Sequence, residues 1–256
     1  MSTHFEEELV MLHGWGMNAA VWDGDWQADW PELCQHRIEL PGHGTSPFPP
    51  TLNNLWRWAD ACLDAAPARA VWLGWSLGGL VALAAALRAP KRVAGLILLT
   101  ATPRFVQAAD WRPAMPETTL DQFHTELLAD PAATLARFLA LQVRGSDSAR
   151  ETLQQLREEL ASRPPPNADA LALGLDLLRE EDLRGQLPDI RCPALWLFGS
   201  HDALVPAAVA ERIEMLMPGA QTQIIAGAAH APHLSHPAEF AQAVRSMLAE
   251  VREPLA

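Results

Sequence analysis

Cysteine is scarce in this chain: only Cys34, Cys62 and Cys192 among 256 residues, odd in number, widely spaced and without a C-x-x-C pair. That pattern points to neither a disulfide framework nor a zinc motif. Basic charge is also in short supply. Lys+Arg 19 against Asp+Glu 31 leaves a formal net charge of -12, the wrong sign for non-specific binding to nucleic acid or an anionic membrane. The longest apolar run, LVALAAAL at 80–87, falls far below the ~20 residues of a bilayer span. The N-terminal MSTHFEEELVMLHGWG is acidic and has neither the basic n-region nor the long apolar stretch of a signal peptide. A soluble, cytoplasmic protein is expected, with neither nucleic acid nor membrane as a partner. What is present is ordinary for a folded soluble protein: 49% apolar and 20% charged residues, in a chain long enough for a sizeable core.

Apolar runs bounded by Gly, Pro and Asp recur at 8–14, 36–42, 70–75, 94–101, 194–199 and 222–227. Their hydrophobicity is continuous rather than alternating, which suits strands covered on both faces. Helical patterns lie between them, in LGGLVALAAALRAP, PAAVAERIEMLMP and PAEFAQAVRSMLAEV. An α/β fold is expected, a mostly parallel central sheet flanked by helices. From about residue 103 to 188 the rhythm breaks. Four helical patterns follow one another there, LDQFHTELLA, PAATLARFLALQVR, SARETLQQLREELA and NADALALGLDLLRE, with no convincing strand. The reading is a core of residues 1–102 and 189–256 with an all-helical cap, 103–188, inserted into it.

GWSLGG at 74–79 follows the apolar run ARAVWL and precedes a small-residue helix. In G-x-S-x-G the serine sits on a sharp strand-to-helix turn, with Oγ above the sheet and helix amides aimed at the same spot. An ordinary turn serine is the plain alternative, and the flanking strand and helix favour a nucleophile. A serine nucleophile needs a base and the base an orienting acid, in the chain order Ser, Asp or Glu, His. Asp202 follows ALWLFGSH and His230 follows TQIIAGAA, both just past strand ends, the edge where open α/β sheets carry function. His201 is a competing base and Asp189 a competing acid, but one adjoins Asp202 and the other precedes its strand. The run His230, His233, His236 has metal-like spacing. Pro232 and Pro237 interrupt it and no thiolate or carboxylate completes a set, so no metal is expected; His236 reads as a helix-entry residue. HGWG at 13–16 lets a backbone N–H approach, so the amides of Trp15 and Leu77 are the expected oxyanion donors. The Trp15 indole is a core aromatic or a wall of the acyl pocket, His13 a brace for its loop, and the PGHG turn at 41–44 structural.

HGWG, PGHGTS, GWSLGG, GSHDALVP and AAHAPHLSHP together resemble the α/β-hydrolases with a Ser-Asp-His triad, over about residues 8–250. More narrowly, the tryptophan-rich stretch at 14–22, VWLGWSLGGLVA at 71–82, RFLALQ at 137–142 and AAHAP followed by SHPAEF resemble the pimeloyl-[acyl-carrier protein] methyl ester esterases of biotin synthesis. The resemblance implies a carboxylesterase that needs no cofactor and releases methanol from the carrier-linked ester. It implies substrate contacts at Trp15, Ser76, Leu77, Phe138, Leu139, Ala140, Leu141, Gln142 and His230. It further implies that Arg137 and Arg150 meet the acidic carrier protein, while Gln154 stands where the family has another arginine. Arg144 and Arg157 repeat the two arginines at seven-residue spacings, so each pair is expected on one helix face. A general short-chain carboxylesterase or a carbon–carbon bond hydrolase on the same triad is the alternative. A dehalogenase or epoxide hydrolase would need aspartate at position 76. A catalytically inactive binding module of this fold would not need an intact triad. A monomer is expected.

Overall fold

A computed structural model describes residues 7–24, 30 and 33–252; the acidic stretch 1–6 lies outside them. Six strands form one sheet: β1 Glu7–Leu12, β2 Leu33–Ile38, β3 Ala70–Trp75, β4 Val93–Leu99, β5 Ala194–Gly199 and β6 Gln221–Ile225. Every pairing between these strands is parallel, in the order β2-β1-β3-β4-β5-β6. The strands match the expected runs to within a few residues. β3 and β5 coincide with theirs, whereas β1, β2, β4 and β6 end earlier because the closing residues of those runs lie outside the strands.

The continuous hydrophobicity of the inner strands supplies two cores. On one face lie Val10, Leu12, Trp72, Leu96, Leu98, Trp196 and Phe198; on the other lie Leu9, Met11, Leu73, Trp75, Ile97, Leu99 and Leu197. The first face is covered by α1 Leu55–Ala65, α2 Leu77–Arg88 and α7 Val209–Leu216. The second is covered, after the one-turn helix α8 Pro232–Ser235, by α9 Pro237–Arg252, through Phe240, Val244 and Met247. No helix was expected at α1. It carries no long apolar run, only a stripe of Leu55, Trp58, Ala59, Cys62 and Leu63 at the 3.6-residue period. Asn54 caps it by accepting the Arg57 N–H.

Between β4 and β5 four helices follow one another: α3 Glu117–Ala129, α4 Pro131–Gln142, α5 Ala149–Ala161 and α6 Ala168–Glu180. Side-chain caps mark the starts of α4 and α6. Asp130 and Asn167 each accept backbone N–H groups of the next turn, as short acceptor side chains do at helix starts. Helix α4 bridges the two cores, Phe138 joining the first and Leu139 the second. It ends at Gln142, so Arg144 lies beyond it and does not share a helical face with Arg137 as the seven-residue spacing predicts.

Candidate active site

Strand order reverses at β1 and β3, which are neighbours although β2 lies between them in the chain. The crevice beyond the carboxyl ends of two such strands is the natural ligand position of an open α/β sheet. Trp15 follows β1 and Ser76 follows β3. Both therefore stand at this reversal.

Ser76 has φ 55° and ψ -117°, a left-side conformation that a non-glycine residue holds only where its surroundings enforce it. Its N–H donates to Leu99 O at 2.9 Å and its carbonyl accepts from Gly79 N at 2.9 Å. The glycines around it are demanded by backbone packing. A Cβ at Gly74 would lie 2.4 Å from Gly78 O, and one at Gly78 would lie 2.4 Å from Leu12 O. Leu77 begins α2, where the first N–H groups of a helix have no intrahelical acceptor. That leaves an amide beside the serine for a developing oxyanion.

His230 is buried in the loop after β6 and held from three sides. Its N–H donates to Gln142 O at 2.9 Å, and its carbonyl accepts from Trp75 Nε1 at 2.7 Å and Thr100 Oγ1 at 2.8 Å. Trp75 adjoins Ser76, so the histidine's backbone is tied to the strand that presents the serine. The imidazole Nδ1 lies 2.7 Å from Asp202 Oδ2. Asp202 Oδ1 accepts the N–H groups of Leu204 at 2.8 Å and Val205 at 3.0 Å. A carboxylate oxygen accepts, so Nδ1 is the donor of this pair and, in the neutral ring, Nε2 is the nitrogen that carries the lone pair. That Nε2 is buried and has no hydrogen-bond partner among the described residues. The competing groups are elsewhere: His201 is exposed and contacts Gly145 O through Nδ1, and Asp189 is exposed in a short helical turn before β5.

The loop after β1 is bolted by residues that chain order alone could not connect. His13 Nε2 accepts from Leu40 N at 3.0 Å and its Nδ1 donates to Gly14 O at 2.8 Å, the bracing expected of it. His43, from the PGHG turn, accepts the Gly16 N–H at Nε2 and donates from Nδ1 to Pro41 O. Burial pushes its pKa down to about 3, with His13 adding to the effect, so the ring stays neutral and able to accept. Glu39 accepts the Ala19 N–H at 2.8 Å. Asn18 reaches the end of α5, donating to Glu159 O and Leu160 O. Asn18 and Thr100 carry no motif of their own. Only the fold reveals what they hold.

The Trp15 indole is a core aromatic. It donates to Leu171 O of α6 at 2.8 Å, meets Phe138 edge-on at 4.8 Å between ring centroids, and presses on Gly174. In the 138–142 stretch, Phe138 and Gln142 are buried and Leu141 packs against the same core as Trp15. Leu139 joins the opposite core and Ala140 is exposed. Gln142 Oε1 is buried without a partner among the described residues. Arg137 pairs with Glu126 and lies 5.0 Å over the Phe123 ring. Arg150 and Arg157 are both exposed on α5. In the histidine run, His230, His233 and His236 do not converge. His233 packs between Trp75 and Trp22, and His236 bonds to Ser235 and precedes α9.

Residues 8–237 match the family described as the alpha/beta hydrolase fold. The chain is 45% identical to the pimeloyl-[acyl-carrier protein] methyl ester esterase of Photobacterium profundum over 94% of each chain. It is 43% identical to that of Serratia marcescens, over 95% of this chain and 94% of the relative. Among solved structures it resembles an esterase from Exiguobacterium antarcticum, with TM-score 0.82 and 22% identity over 96% of this chain and 92% of the other. It also resembles a hydrolase from Pseudomonas aeruginosa, with TM-score 0.77 and 27% identity over 95% and 90%. At 22% identity the first of these likenesses is one of fold alone. These matches mean that the chain belongs to the α/β-hydrolase family and, within it, to the pimeloyl-[acyl-carrier protein] methyl ester esterases.

Proposed function

We propose that this chain hydrolyses the methyl ester of pimeloyl-acyl-carrier protein, releasing methanol and the free ω-carboxylate. The observation that carries the reading is the buried Asp202–His230 pair at 2.7 Å, whose outer nitrogen has no competing partner. The identity to relatives of that name supports the substrate.

Ser76 Oγ attacks the ester carbonyl and its proton passes to His230 Nε2, while Asp202 stabilises the imidazolium. The tetrahedral oxyanion is received by the amides of Trp15 and Leu77, each worth about 3 kcal/mol of barrier. The C–OCH3 bond breaks, and His230 returns the proton to the departing oxygen as methanol forms. Water then attacks the acyl-Ser76 ester, giving its proton to His230, which restores it to Ser76 Oγ as the acid leaves. Every proton and leaving group is accounted for by these three side chains.

Residues 103–188 act as a cap in this reading. The apolar part of the pimeloyl chain runs along Phe138, Leu141 and Gln142 of α4 in this reading. The exposed arginines of α5, Arg150 and Arg157, receive the acidic carrier. Arg137 contributes less, because Glu126 already neutralises it. The three cysteine thiols agree with a reducing, cytoplasmic setting. Expression in a bacterial host lacking its own demethylating esterase tests the reading: growth without biotin is expected from the native chain and not from Ser76→Ala. Failure of the native chain to support growth, with folded protein present, would refute it.

A further inference from the structure

At the edge of the sheet, away from the candidate active site, three side chains of different chemistry meet. Cys34 of β2 is the register partner of Glu8 of β1. Paired residues of parallel neighbours share a face, and His36, two residues on from Cys34, shares it too. His36 Nε2 lies 2.5 Å from Glu8 Oε2 and 3.5 Å from Cys34 Sγ. One ligand atom from each residue falls within 4.8 Å of the other two. We propose that Glu8, Cys34 and His36 form a three-ligand site for a thiophilic divalent ion, zinc foremost, which pins edge strand β2 to β1.

The geometry suits the ion. Zinc–sulfur and zinc–nitrogen bonds of about 2.3 and 2.05 Å at a tetrahedral angle put S and N about 3.6 Å apart, close to the 3.5 Å found here. The Glu8–His36 contact opens by under about 1 Å to admit the ion between O and N. A thiolate, an imidazole and a carboxylate favour zinc over magnesium or calcium, which take oxygen ligands. Access is open. The side chains of His36 and Glu8 are 31% and 33% exposed, and a surface groove lined by Ile38, Thr45, Ser46 and Ala65 borders His36. Water completes the fourth position. Glu8 is already held below the usual carboxylate pKa by its hydrogen bond to His36, so the ion meets a charged ligand. Binding displaces the Cys34 thiol proton to solvent and leaves the imidazole hydrogen on Nδ1, so affinity rises with pH.

The site is distinct from the hydrolytic one. Glu8 lies four residues before Leu12, about 13 Å along the strand from the end that carries Trp15. Nor do the other thiols offer an equivalent. Burial pushes Cys62 up to about 12 and Cys192 up to about 11, and neither belongs to such a cluster among the described residues.

The test is cobalt titration of the untagged full chain after chelator treatment. One equivalent of Co2+ should bind with a thiolate-to-cobalt charge-transfer band, displaced by Zn2+. Cys34→Ser should lose the band, and Glu8→Gln, which keeps size and removes charge, should bind at least ten-fold more weakly. Zn2+ should raise the Tm of the native chain and leave that of Cys34→Ser unmoved. All variants should keep hydrolysing a p-nitrophenyl ester, which also reports that they fold. No band in the native chain under excess cobalt, the same band in Cys34→Ser, or unchanged affinity in Glu8→Gln would overturn the site.

Discussion

Two buried histidines at neighbouring positions, 230 and 233, live in opposite circumstances. His230 gives Nδ1 to Asp202, whereas neither ring nitrogen of His233 has a partner among the described residues. Burial, and secondarily the nearby His230, pushes His233 down to about 3. In the unfolded chain it titrates near 6.5. Between about pH 6.5 and 3 the unfolded state therefore binds more protons, and stability falls as pH falls through that window. His43, also at about 3, acts in the same sense. His233→Phe should flatten the acid side of the stability curve by up to about 1.4 kcal/mol per pH unit and leave stability at pH 8 unchanged or higher. Urea unfolding at several pH values reads this directly; an unaltered slope would count against a neutral buried ring. Asp202→Asn leaves the shape and reverses the tautomer preference of His230. It should lower kcat by about 10^4-fold, the size of that change in serine-protease triads.

At the scale of elements, the site depends on close backbone approach where no side chain fits. A Cβ on Gly78 would meet the carbonyl oxygens of Leu12 and His13 at 2.4 and 2.5 Å, and backbone at the exit of β1 cannot yield like a flexible side chain. Gly78→Ala should cost about 1–3 kcal/mol of stability and depress activity with it. Gly174→Ala separates the two effects. Its Cβ would lie 2.7 Å from Trp15 Cδ1 and 3.3 Å from Leu77 Cδ2, so the indole and its loop must shift. About a 10- to 100-fold loss of kcat is expected with little change in Tm; normal turnover would show that the indole does not position the loop. These positions also mark the limit of what the chain alone discloses. The GWSLGG turn, Asp202 and His230 are readable because each stands next to a strand whose apolar run announces it. The helices of 117–180 are readable because Asp130 and Asn167 punctuate them. Helix α1 escaped because its signal is a stripe, not a run. The PGHG turn reads as structural, but the Gly16 contact of its His43, like Asn18, Thr100 and the Cys34–Glu8 pairing, escaped because these roles exist only once distant segments are in register. Arg144 was misjudged for a local reason: α4 stops at Gln142, and the seven-residue spacing then runs past its end.

Across the whole molecule the net charge is -12, which repels an acidic protein partner at long range. Arg150 is exposed on α5, whereas Arg137 is paired with Glu126. Arg150→Glu should therefore raise KM for the carrier-linked ester several-fold and leave p-nitrophenyl ester hydrolysis untouched, while Arg137→Ala should have the smaller effect. Added salt should erase the difference between native and Arg150→Glu chains. If both substrates respond alike, the arginine acts on the fold and not on the carrier. No helix among the described residues is long and apolar enough to cross a membrane. The most direct measurement is intact-mass spectrometry of pimeloyl-carrier-protein methyl ester incubated with the enzyme. The native chain should convert it to the free acid with stoichiometric methanol, and Ser76→Ala should leave it intact. Demethylation that survives Ser76→Ala, or a native chain that leaves the ester untouched, would contradict the account.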